Sequence, residues 1–329
     1  EKLKVKFPNS QFIMVTNGSL LNPEINEWLD EMGFGIGLSH DGPGQPVRGP
    51  DPLDDPKSRE GIVDLFKRLA PKGRISFNTM MNRENMDRAA VQKFFKDFLD
   101  SVGIKQFNIG EGGFIDPYDE GGLQNSLKGE EEHVAYRRLT VNQTRNKQNI
   151  KFSIVNERMK EWISSISSSR PASSLGQKCG MDDIETIAVD LRGNVLTCQN
   201  VSAVAVAPNG KQHMIGHVSR LDQVKLRTST HWSARKECVD CPVLQVCKGA
   251  CMYLHGNLWA KACDNAYTDH IPFFAAAIEE MTGYLPYYIE HEALPDNRKN
   301  IWGKPDQKVS IPETRKKPTD LNNESLNVD

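Results

Sequence analysis

Four cysteines, Cys238, Cys241, Cys247 and Cys251, follow one another at gaps of two, five and three residues. Three more flank them: Cys179 and Cys198 upstream, and Cys263 eleven residues further on. None of the first 178 residues is a cysteine. Thiolates gathered this way are ligands for zinc or for iron–sulfur clusters. Their odd number, with no secretory pattern at the start of the sequence, speaks against a disulfide framework. Zinc held by thiolates alone takes a tetrahedron of four, usually from two short knuckles. Only one C-x2-C is present, and eighteen residues separate Cys179 from Cys198. Iron–sulfur clusters accept one close run plus a distant fourth thiolate. The spacing favours iron–sulfur and leaves zinc open.

The elements that must carry these thiols can be read from the pattern around them. IETIAVDLRGNVLTC (184–198) reads as a hairpin, with strands over 184–189 and 195–197, so Cys198 closes a strand. IPFFAAAIEEMTGYL (271–285) has the apolar content of a closing helix. Upstream, strand and helix alternate. Apolar strands over 12–15, 35–39, 74–81 and 106–110 are separated by amphipathic helices over 23–33, 59–73 and 85–102. Such units build a parallel sheet or barrel, with ligands at the carboxyl ends of the strands. Those ends carry Thr16-Asn17-Gly18, Ser39-His40-Asp41-Gly42, Asn78 and Glu111-Gly112-Gly113. HDGPGQPVRGPDPLDDP (40–56), with its many Pro and Gly, reads as a loop, and His40 as a surface residue on it. Two helices are expected around 131–146 and 153–168, and SSSRPASS (167–174) reads as a boundary. From Leu294 onward no sustained apolar pattern remains, which reads as a mobile tail.

The whole pattern is C-x13-G-x4-C, then C-x2-C-x5-C-x3-C, then a last Cys after eleven residues, with Gly193 as the glycine. It resembles the SPASM domain, a carboxy-terminal extension of radical S-adenosylmethionine (SAM) enzymes. AVDLRGNVLTC (188–198) is similar to that family's hairpin. VTNGSLL, LSHDGP and RISFNTMMNREN resemble strands three to five of the radical SAM partial barrel. The resemblance implies an α/β fold: a partial parallel (β/α) barrel over 1–170 lacking its first units, a SPASM domain with its closing helix over 171–293, and the tail over 294–329. It implies two auxiliary [4Fe–4S] clusters. Cys238, Cys241, Cys247 and Cys263 would hold one, while Cys251 would cross to Cys179 and Cys198. An eighth cysteine, which completes the second cluster in some members, is missing from SSLGQK (173–178), so one iron would take another ligand.

The same resemblance places Ser39 and Asp41 near SAM or substrate, although both residues also serve as ordinary loop-initiating caps. Sulfatase-maturating members carry an aspartate base directly after the second hairpin cysteine. Here that position is Gln199, which points to another peptide modification. The C-x3-C-x2-C that ligates the SAM-cleaving cluster is absent from the sequence. The expectation is a chain lacking its first two β-α units, inactive as given. SAM and a third [4Fe–4S] cluster would come only with the missing part. The implied activity is hydrogen-atom abstraction from a peptide or protein, with flavodoxin or ferredoxin as electron donor. The alternative is a non-catalytic iron–sulfur or zinc module that recognises a peptide.

Bulk composition narrows the partners. A net charge of −2 excludes a basic surface covering the protein, so no nucleic acid is expected. No run approaches the ~18 apolar residues of a membrane span. Clustered thiols fit a reducing, cytoplasmic setting.

Overall fold

The computed structural model describes residues 2–116, 121–169, 178–179, 181, 183, 185–206, 210–225 and 230–303. Of the boundary segment expected over 167–174, residues 167 and 168 end a helix, while 170–174 and everything after 303 lie outside these. The chain divides into two units. One comprises Glu1–Ile115 with Leu139–Lys160, and the other Asp116–Arg138 with Glu161–Asp329.

The first unit opens with α1 (Lys2–Lys6), β1 (Ile13–Thr16), α2 (Pro23–Glu31) and β2 (Gly35–Ser39). It continues with α3 (Gln45–Arg48), α4 (Pro56–Leu69), β3 (Ile75–Met81), α5 (Arg88–Ser101) and β4 (Ile109–Phe114). The strands form one parallel sheet in sequence order, β1-β2-β3-β4. The helices start where the chemistry directs. Asn22, Asp55 and Asp87 each accept a backbone N–H three residues on, and Pro23 and Pro56 occupy first-turn positions where no N–H is needed. Strand β3 alternates strictly. Ile75, Phe77, Thr79 and Met81 are buried, while Ser76, Asn78 and Met80 are half-buried. Its buried face meets Ile62, Leu65 and Phe66 of α4 and Val91 and Phe95 of α5, all essentially inaccessible. Phe77 stacks on Phe95 at 4.0 Å between ring centres and meets Phe66, tilted by 34°, at 4.6 Å. Each such ring contributes about 1.5–3 kcal/mol by burial.

Segment 40–56, expected as a loop, folds into a 3₁₀ turn (Gly42–Gly44) followed by α3. Three of its five prolines, Pro43, Pro46 and Pro56, sit in first turns, where they start helices rather than end them. Asn78, expected at a strand end, lies inside β3, and Glu111–Gly113 lie inside β4.

The second unit takes the first part of α6 (Gly129–Arg145) and the last part of α7 (Ser153–Ser168). It continues with β5 (Ala188–Val189), β6 (Asn194–Leu196), β7 (Met214–His217), α8 (Lys236–Val239), α9 (Leu244–Cys247), α10 (Gly256–Thr282) and α11 (Asp296–Lys299). The three short strands form an antiparallel sheet. Gly193 makes the β5–β6 turn with φ of +85°, and a Cβ there would stand 2.7 Å from His217 Nε2. Residues 116–138 join this unit because α6 packs on α10: His133 Nδ1 lies 2.7 Å from Thr268 Oγ1, and Tyr136 hydrogen-bonds Asp269.

The closing helix is longer than its apolar stretch. α10 spans 27 residues, encloses Pro272 and carries Cys263 in its second turn. Its middle, Asn265 to Phe273, is buried all round, so polar residues there break the pattern that marks a surface helix. The first residues of the expected tail are structured. Residues 294–303 form α11 and bury Ile301 and Trp302, whose indole donates to the Pro286 carbonyl at 2.8 Å. Among the described residues no helix is long and apolar enough to cross a membrane.

Candidate functional site

Cys238, Cys241, Cys247 and Cys263 line one small pocket of the second unit, together with Val243, Leu244 and Trp259. Cys251 is not among its walls. Cys238 comes from α8, Cys247 ends α9 and Cys263 comes from α10. Short turns connect them: the Cys241 N–H donates to the Cys238 carbonyl at 3.1 Å, and the Cys247 N–H to the Val243 carbonyl at 2.9 Å. Cys238 and Cys247 are buried. Burial, with Cys263 and Cys241 beside it, pushes the Cys238 thiol up to about 11, and burial pushes Cys247 up to about 12. As free thiols both are protonated at neutral pH, so a metal must displace their protons.

Backbone geometry sends Cys251 elsewhere. After Cys247, three consecutive residues adopt left-handed conformations: Lys248 (φ 51°), Gly249 (φ 80°) and Ala250 (φ 56°). For Lys and Ala that costs roughly 1–2 kcal/mol each. Strain of this kind persists only where the surroundings over-determine it. Here Ala250 is buried, and the Trp259 indole donates to the Gly249 carbonyl at 3.3 Å. The Ala250 N–H donates to the Cys247 carbonyl at 3.2 Å and closes this turn.

Cys251 instead shares its surroundings with the upstream thiols. Burial pushes it up to about 11, with Asp116 and Cys198 adding to the rise. Cys198 is raised by burial and by Cys179. Tyr253, pushed up to about 12 chiefly by burial, feels Cys198, Cys179 and Cys251 together. Cys198 stands two residues beyond β6, and its Sγ accepts from the Asn200 N–H at 3.4 Å. Cys179 is exposed, beside Lys178, which pairs with Asp116 at 2.6 Å. Four of the seven thiols thus share one pocket, and Cys251 is not one of them.

Among the described residues, no three His, Cys, Asp or Glu side chains converge on a point that a single metal ion could fill. Ligands of one zinc ion stand about 3.8 Å apart, from Zn–S bonds of about 2.3 Å in a tetrahedron. A four-iron cluster takes one thiolate on each of four irons, so its ligands are spread more widely. Four thiols on one pocket match in number what either kind of centre takes.

The strand ends of the first unit hold different chemistry. Asp41 is buried. Its carboxylate receives Arg48 Nη2 at 2.7 Å and Nε at 3.1 Å, and the Met80 N–H at 3.0 Å. Both oxygens therefore tie the segment after β2 to β3 and α3. His40, expected at the surface, is fully buried among Phe77, Phe94 and Phe95. Its Nδ1 accepts from the Gly42 N–H and its Nε2 donates to Asp51, both at 2.9 Å, and burial lowers its pKa. It is a neutral packing residue. Ser39 ends β2 in register with Asn78. That face of the sheet is small and polar. Gly37, Ser76, Asn78 and Gly110 floor a groove of about 1040 Å³. The Asn78 amide fits because its neighbours are glycines: a Cβ at Gly37 or Gly110 would lie 2.4 Å from it.

Arg298 is a site residue that sequence reasoning missed. Its Nη2 donates to Cys263 Sγ at 3.1 Å, from a segment expected to be tail. The DNRKNIW sequence offers no periodic signal, so nothing local announces it.

A parallel α/β unit and a cysteine-rich unit together make a fold that solved structures share. No family model matches the sequence, and no curated protein matches it. Among solved structures the fold is that of "Native anSMEcpe with bound AdoMet", at 18% identity, covering 85% of this chain and 80% of that one, with a TM-score of 0.53. A histidine-tagged form of anSMEcpe, also with bound AdoMet, is similar at 19% identity, 85% and 79% coverage and a TM-score of 0.50. anSMEcpe is an anaerobic sulfatase-maturating radical SAM enzyme with a SPASM domain.

Proposed function

We propose that this chain serves a radical SAM oxidoreductase that modifies a peptide or protein by hydrogen-atom abstraction, and that its second unit holds two auxiliary [4Fe–4S] clusters. The carrying observation is the single pocket lined by Cys238, Cys241, Cys247 and Cys263, which Cys251, their neighbour in sequence, does not line. Cys238, Cys241, Cys247 and Cys263 would hold one cluster; Cys179, Cys198 and Cys251 would hold three irons of the other. Such clusters, when bound, accept or pass one electron, or ligate substrate at an open iron.

The chain's own residues supply position and seclusion. The three helices and the Lys248–Ala250 turn fix the thiols, and Trp259 covers the four-thiol pocket. The exposed Cys179 leaves the three-thiol side accessible to substrate or to an electron donor such as flavodoxin or ferredoxin. Ser39 would present a hydroxyl on the polar sheet face toward SAM or substrate, and Asp41, through Arg48 and Met80, holds the segment that follows it. The sequence contains no C-x3-C-x2-C, so no SAM cleavage is assigned to these residues.

The likeness to an enzyme that matures a sulfatase supports a protein or peptide substrate. Gln199, exposed where the resemblance puts an aspartate base, favours a modification other than sulfatase maturation. Free thiols in this number favour a cytoplasmic setting.

Anaerobic reconstitution with iron and sulfide tests the reading. The expected product is brown, with broad absorption near ~400 nm and about eight irons per chain. A colourless protein that retains zinc alone would sink it.

A further inference from the structure

Two guanidiniums lie buried against the thiols. Arg298 is 8% exposed and donates both to Cys263 Sγ and to Asp264 Oδ1, each at 3.1 Å. Asp264 is half-exposed, so water already screens much of its charge. Burial opposes the charge on Arg298, yet Cys263 and Cys241 together hold its pKa above the ordinary value. Arg235 is 7% exposed. Its Nη2 donates to the carbonyls of Leu254 (2.9 Å) and Cys251 (3.5 Å), and its guanidinium lies 4.4 Å over the Trp259 ring. Its Nε is buried with no hydrogen-bond partner, and among the described residues no carboxylate forms an ion pair with it. Burial lowers its pKa, and the groups that oppose this, when charged, are Cys238, Cys251, Cys263 and Glu237.

A buried cation without an anionic partner is strongly unfavourable. Arg235 is held there by two carbonyls and an aromatic face, none of which carries a net charge. Arg235 meets the backbone of both groups: its guanidinium donates to the Cys251 carbonyl, and its own carbonyl accepts from the Cys238 N–H at 2.9 Å. Arg298 reaches only the four-thiol group.

We propose that Arg298 and Arg235 are the fixed counter-charges of the two thiolate-bound centres, Arg298 serving the four-thiol centre alone and Arg235 serving both. This rests on the cluster reading above. One-electron reduction adds a negative charge to a centre its thiolates already make anionic. A fixed cation, and N–H donation toward sulfur, favour the reduced form and raise the potential. Both arginines are positioning residues that set how readily the centres are reduced. Arg235 couples the two, so the charge state of one centre is felt at the residue that stabilises the other.

The test is an anaerobic redox titration of the full reconstituted chain with dithionite as reductant, followed by electron paramagnetic resonance. The two centres are assigned through C241S and C198S. Arg298→Met should lower the reduced-to-oxidised ratio of the four-thiol centre at least tenfold at fixed solution potential, a shift of about 59 mV for one electron. It should leave the other centre within a factor of two. Arg235→Met should lower the ratio at both centres, while Arg235→Lys, which keeps the charge, should recover most of the loss. If a methionine variant fails to fold, the neutral and similarly shaped glutamine variant carries the same expectation. Variants that load about eight irons with unchanged ratios at both centres would overturn the assignment, as would Arg235→Met moving one centre only. A wild-type chain that takes up no iron would instead defeat the cluster reading, which iron and sulfide analysis registers before any titration.

Discussion

The four-thiol pocket and the three-thiol group use the same side chain in opposite settings. The pocket is assembled almost wholly from one stretch, Cys238 to Cys263, on helix ends joined by backbone hydrogen bonds. Two of its thiols are buried, and an arginine donates to a third. The three-thiol group draws Cys179 from a segment of its own, Cys198 from beyond a strand and Cys251 from beyond a strained turn. One of its members is exposed and none is fully buried. The first setting is organised by local structure, whereas the second, as proposed, requires distant segments to meet. A locally organised, enclosed site should be robust and exchange slowly, and a site assembled from distant parts should be open to ligands and easier to lose.

The largest expected effect breaks this contrast directly. Cys241→Ser should remove the four-thiol centre and about half of the roughly eight irons. Cys179→Ser should leave that half in place and cost only the other centre. Iron and sulfide counts on the two variants check this. Equal, complete loss in both would mean that the thiols form one interdependent site.

A smaller effect distinguishes the two settings by pH. His133, on α6, packs on Thr268 of α10, the helix that carries Cys263. Burial lowers its pKa to about 4. The unfolded chain takes up this proton below about 6.5, and the folded one only near 4. Stability is therefore complete above pH 6.5 and falls as pH drops toward 4, by about 3 kcal/mol at full extent. Chemical denaturation of the wild type and of His133→Gln between pH 7 and 4.5 should show a slope that the variant largely loses. Parallel slopes would remove His133 as the cause.

The smallest effect concerns the turn that parts the two groups. Lys248→Gly relieves a left-handed lysine and should stabilise the protein by up to about 1 kcal/mol while keeping the iron count. A loss of stability would mean that the lysine side chain, rather than its backbone, matters there.

What could be read in advance follows from the physics of each part. The parallel sheet was legible because β3 alternates without exception and its helices are capped by Asn22, Asp55 and Asp87. The thiols were legible as a set because cysteine is a rare residue with few uses. Their division was not visible in spacing. It depends on left-handed backbone at Lys248 and Ala250, residue types that do not advertise it. Arg298 and the early start of α10 were hidden for a related reason. Both lie where polar side chains are buried against partners far along the chain, so a periodic pattern of apolar residues never forms. His40 looked like a surface residue because a Pro- and Gly-rich segment looks like a loop, whereas here it folds back over an aromatic cluster.

The central claim is the separation of Cys251 from its neighbours in sequence. An anaerobic crystal structure of the reconstituted chain, with anomalous scattering recorded at the iron edge, measures it directly. The prediction is two distinct iron clusters, with Cys251 Sγ bonded to the one that also holds Cys179 and Cys198. A single cluster bonded by Cys238, Cys241, Cys247 and Cys251 together would contradict it.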